Sequence, residues 1–137
     1  MNIVALVLGI LTAGVGVGLL VMVSRAGVPA HGPEAHDPTR PGLRPLIEFF
    51  HPVLAVVALA CLFGLAYIGD RGFAVAAFWV LVVTATGGLT LLSLNARDSR
   101  RPGSAARPAA LLRLIAAHGL GAAAVLTLAA LYAFGVL

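Results

Sequence analysis

The chain has 137 residues, 61% of them hydrophobic and only 10% charged, with a mean hydropathy of +1.04. Water-soluble domains carry about 25% charged residues, so composition excludes an ordinary soluble fold and makes a bilayer the fitting solvent. The net charge of +4 comes from arginines scattered through short loops, with no lysine and no continuous basic face, which argues against a nucleic-acid reader.

A helix crosses a hydrocarbon core of about 30 Å with roughly 20 residues. Four such spans would use most of the chain as one domain, an all-α integral membrane four-helix bundle. The first apolar run covers residues 3–23. It lacks the basic leading region of a signal peptide and exceeds the usual apolar length of one, so it reads as a membrane helix. Gly14 and Gly18 within it are four apart, the small-residue spacing that lets membrane helices approach closely. A packing face there is expected.

Residues 24–45 form a polar loop with Pro29, Pro33, Pro38, Pro41 and Pro45. His31, Glu34, His36 and Asp37 give it a metal-like composition, although surface histidines are commoner than ligands. The second span covers 46–68 and holds Glu48, His51 and Pro52. If Pro52 sits in the first turn, where proline is favoured, His51 becomes an interfacial cap. Gly69-Asp70-Arg71-Gly72 is a turn by composition. The third span runs over 73–94, a charged loop over 95–108, and the fourth span over 109–136, with Arg113 near its start and His118 within it. Cys61 lies in an apolar stretch as a small core residue, and no internal disulfide is possible. Trp79, Tyr67 and Tyr132 fit packing or interfacial anchoring.

Arginine placement predicts orientation. The first and third loops carry Arg25, Arg40, Arg44, Arg97, Arg100, Arg101 and Arg107, whereas the opposite side carries Arg71 alone. The positive-inside rule then puts loops 24–45 and 95–108 in the cytoplasm and both termini on the other side. The expected location is a bacterial-type cytoplasmic (inner) membrane, multi-pass.

Ionisable groups within spans are costly and point to function. Here they are Glu48, His51, Arg113 and His118. Spans two and four run in the same direction, and counting from Arg44 and Arg113 puts His51 and His118 at depths within about 3 Å at 1.5 Å per residue. Two helical histidines at one depth suit axial ligation of a single haem iron. Ala55 and Ala58 beside His51, and Gly121 and Ala122 beside His118, leave room for a flat macrocycle, and Arg44 and Arg113 suit its propionates. Glu48 and His51 also make a Glu-x-x-His pair, but the other carboxylates all fall in loops, which argues against a di-iron bundle. Glu48 is expected to pair with Arg44 or Arg113.

No phosphate loop, nucleophile–base set or clear paired repeat is readable. The plan of short helices with one histidine on each of spans two and four resembles small membrane cytochromes b, a likeness that assigns no residues. Two functions follow as expectations. One is a small subunit of a respiratory or other electron-transfer complex, binding one b-type haem through His51 and His118 and exchanging electrons with a quinone. The other is an accessory subunit without cofactor, supplying helix packing and lipid contacts among other membrane subunits. Catalysis of its own ranks third.

Overall fold

A computed structural model describes residues 2–25, 43–99 and 109–137. They form four helices, α1 (Asn2–Arg25), α2 (Leu43–Ile68), α3 (Arg71–Ser99) and α4 (Ala109–Ala133), with no strand among the described residues. Each is long and apolar enough to cross a membrane, and in lipid a helix satisfies its own backbone polar groups. The chain is a multi-pass membrane protein. Ile3, Leu11, Leu20, Phe49, Val56, Trp79, Leu89 and Leu120 all face outward, as side chains surrounded by lipid should.

Two helices outrun the apolar stripes by three residues or more. α2 begins at Leu43, so Arg44 and Pro45 are helical, and α3 continues through Asn95 to Ser99. Polar residues beyond the hydrocarbon edge still gain by extending an established helix, because only nucleation is costly. Loop 95–108 is therefore helical over its first five residues, and α4 stops at Ala133, earlier than 136.

The ends are set by local chemistry. Gly69 takes φ 75° and donates its N–H to the Leu65 carbonyl at 3.1 Å, a left-handed cap on α2. Asp70 then caps α3 by accepting from the Gly72 N–H at 2.6 Å. At the far end Gly135, at φ 72°, allows Val136 to donate to the Leu131 carbonyl at 2.9 Å, the Schellman arrangement. Arg71 reaches across to donate from Nε to the Ala133 carbonyl at 2.8 Å, tying the start of α3 to the end of α4.

The helices pack in ring order α1–α2–α3–α4, with α1 also against α4 and no packing across either diagonal. The core is in layers. Nearest the α2–α3 turn, Leu65, Ala74 and Ala133 pack with Phe73, Phe78 and Tyr132. Above them come Ala5, Leu62, Ala77 and Val125. Alanine and glycine dominate, as expected where helices associate by close approach in lipid. Gly64 is an instance: a Cβ there would stand 2.6 Å from Phe73 Cδ1.

The expected Gly14–Gly18 packing face does not serve the bundle. Both glycines are exposed with open space around them, and Gly9 and Gly16 make the close approaches instead.

Candidate functional site

The third layer holds both membrane histidines. His51 lies well inside α2, and Pro52 is within the helix as well, so the first-turn reading of Pro52 is corrected and His51 is not a helix cap. The imidazole centres of His51 and His118 are 6.2 Å apart, with ring planes at 70°. Depth counting from the arginines brought these two residues to one level, and the structure brings their rings together.

Each ring is gripped from a neighbouring helix in the same way. His51 Nδ1 lies 3.0 Å from the carbonyl oxygen of Thr84 on α3. His118 Nδ1 lies 3.0 Å from the carbonyl oxygen of Thr12 on α1. A carbonyl only accepts, so each Nδ1 carries a proton, which leaves Nε2 as the nitrogen whose lone pair an uncharged ring would offer a metal. Metal-ligating histidines are typically oriented by this kind of bond. The threonine hydroxyls are occupied elsewhere: Thr12 Oγ1 donates to Leu8 at 2.8 Å and Thr84 Oγ1 to Val80 at 2.7 Å.

Glycines one turn further along make room for the rings. A Cβ on Gly88 would stand 3.0 Å from His51 Cε1, and one on Gly16 would stand 3.0 Å from His118 Cε1. Gly121, expected to leave space beside His118, instead admits the side chain of Thr12, and Ala58 is buried.

Thr12, Gly16, Thr84 and Gly88 escaped the reading of the sequence, yet a signal was present. Thr12-Ala13-Gly14-Val15-Gly16 in α1 and Thr84-Ala85-Thr86-Gly87-Gly88 in α3 share the pattern Thr-Ala-x-x-Gly. The two hairpins, α1–α2 and α3–α4, thus carry equivalent parts: a threonine–glycine pair on the first helix and a histidine on the second. Each hairpin's histidine is held by the other's threonine carbonyl, which gives the layer approximate two-fold symmetry.

Toward the loop end, Arg44 Nε donates to Glu48 Oε1 at 2.9 Å, the ion pair expected for Glu48. Arg44 Nη2 donates to Asn95 Oδ1 on α3 at 2.6 Å, so Arg44 is braced between α2 and α3. Arg113 is exposed near the start of α4. Cys61 is half-buried and free. Among the described residues no three of His, Cys, Asp and Glu converge as metal ligands. The His31–Asp37 set lies outside the described residues. No protein family, curated protein or solved structure matches this chain.

Proposed function

We propose that this chain is a small b-type haem subunit of a membrane electron-transfer complex, with His51 and His118 as the two axial ligands. The observation that carries the reading is the spacing of the imidazoles. A metal–nitrogen bond is about 2 Å and a ring centre sits about 1.1 Å behind its nitrogen, so two imidazoles on opposite sides of one ion have centres roughly 6 Å apart. The observed separation is 6.2 Å. Two nitrogens alone make a poor site for a bare tetrahedral ion, which wants three or four protein ligands. They complete the coordination of an iron that a porphyrin already holds.

The close pairs α2·α3 and α1·α4 each carry one histidine, so a flat macrocycle would lie in the seam between these pairs. Haem would supply one-electron exchange. The protein's part is to fix both imidazoles by their Nδ1 bonds, to exclude water with the apolar layers beneath, and to place Arg44 and Arg113 toward the loop end, where propionates would meet them. A membrane quinone is the proposed exchange partner, within a larger complex in a bacterial-type inner membrane. Arg44 and Arg97 at one end, against Arg71 at the other, support cytoplasmic loops and non-cytoplasmic termini.

The test is a reduced-minus-oxidised spectrum of the purified protein. A haem b band that disappears in both His51→Ala and His118→Ala, while each variant still elutes as a folded species in detergent, supports the reading. A colourless wild type that reconstitution with haem leaves colourless refutes it. That result would favour the second reading, an accessory subunit, for which the Nδ1–carbonyl bonds serve as braces between helices.

A further inference from the structure

The outer face of α3 carries an open hollow of about 320 Å³ lined by Thr86, Leu89, Thr90, Ser93, Leu94 and Arg97. We infer that it seats one anionic phospholipid, its phosphate on the Arg97 guanidinium and an acyl chain along the lower part of the hollow. This inference stands apart from the haem reading and uses none of its residues.

Depth comes first. The apolar span of α3 runs 27 residues from Arg71 to Arg97, about 40 Å at 1.5 Å per residue. That matches a bilayer including its headgroups, roughly 40–45 Å, so Arg71 and Arg97 stand at opposite headgroup levels. Arg97 is exposed and has no hydrogen bond or ion pair with any described residue. A guanidinium at phosphate depth presents a planar fork of donors to an oxyanion.

Below it the lining carries no further charge. Ser93 Oγ donates to the Leu89 carbonyl at 2.8 Å, Thr90 Oγ1 to Thr86 at 2.8 Å and Thr86 Oγ1 to Val82 at 2.9 Å. With their protons held by the backbone, these hydroxyls have none left to donate to a ligand, and Leu89 and Leu94 complete the lining. The hollow is charged at its top, and for about 16 Å below, counting one rise per residue from Arg97 to Thr86, it offers Leu89 and Leu94 among hydroxyls already committed to the backbone. This is the polarity profile of a lipid. A quinone would leave the guanidinium without an anion.

The intact protein in neutral detergent is titrated with dioleoyl phosphatidylglycerol or dioleoyl phosphatidylcholine and read by native mass spectrometry. The first phosphatidylglycerol binds about tenfold more tightly than phosphatidylcholine, a difference of ~1.4 kcal/mol. Arg97→Gln abolishes that preference. Thr90→Leu keeps the charge but fills the hollow, and it weakens first uptake of both lipids several-fold. Inorganic phosphate at millimolar concentration does not displace the lipid, because it has no acyl chain. Equal uptake of the two lipids by the wild type overturns the inference, as does displacement by inorganic phosphate alone or unchanged uptake by Thr90→Leu. A crosslink from Ser93→Cys to a transmembrane helix of another subunit that shuts lipid out overturns it as well. Should Arg97→Gln fail to fold, Thr90→Leu decides.

Discussion

Gly16→Ala sets two known effects against each other. Alanine is the better helix former by about 1 kcal/mol. The added methyl, however, would stand 3.0 Å from His118 Cε1 and 3.3 Å from Nδ1, whereas carbon atoms rest at about 3.5–4.0 Å. The ring must therefore retreat by roughly 0.5–1 Å. Its bond to Thr12 starts at 3.0 Å, so retreat stretches it past the useful limit of about 3.2 Å. Losing that bond costs about 1 kcal/mol, and the overpacking costs about 1–3 kcal/mol more. The contact terms win, and Gly16→Ala is expected to destabilise the bundle by about 1–3 kcal/mol. The same helix supplies the control: Gly14 has open space around it, so Gly14→Ala should be neutral or stabilising by up to about 1 kcal/mol. Unfolding in mixed detergent–dodecyl sulfate micelles measures both, and Gly88→Ala on the equivalent helix should follow Gly16→Ala. If Gly16→Ala proved as stable as Gly14→Ala, the ring would not be tightly seated and the reasoning about the layer would fail.

Gly69→Ala forces an L side chain into the left-handed region and should cost about 1–2 kcal/mol, seen as a lower denaturation midpoint; an unchanged midpoint would mean that the turn relaxes freely. Asp70→Ala removes the cap of α3 at a cost of about 1 kcal/mol, and Asp70→Ser should recover most of it in the same assay. Glu48→Gln breaks the Arg44 pair, whose side chains are 26% and 35% exposed. Solvent screening keeps that loss below about 1 kcal/mol, and a loss above 2 would mark Glu48 as the partner of a truly buried charge.

Much of the architecture was legible because lipid simplifies the code. Four stretches of the required length and apolarity leave few alternatives, and the glycines and aspartate of the α2–α3 turn act locally. The histidine pair was legible for a similar reason: a common direction for α2 and α4 and a shared arginine edge fix depth by counting. The grips were harder to see. A backbone carbonyl has no signature in the sequence, so Thr12 and Thr84 show themselves only through the glycines that follow them. Gly14 and Gly18 misled because spacing alone does not say which way a helix is turned, and on α1 the residue between them faces the bundle. Pro52 misled because a helix surrounded by neighbours and lipid tolerates a missing donor that would break an isolated one.

The crosswise hold on the imidazoles also orders events in time. When the first hairpin has entered the bilayer, His51 has nothing to grasp, because its anchor is still to be synthesised. Only after the last helix docks against the first do both rings lock. A chain cut after α2 leaves the His51 imidazole without its anchor on α3, so the layer is complete only once α4 has joined the other three helices.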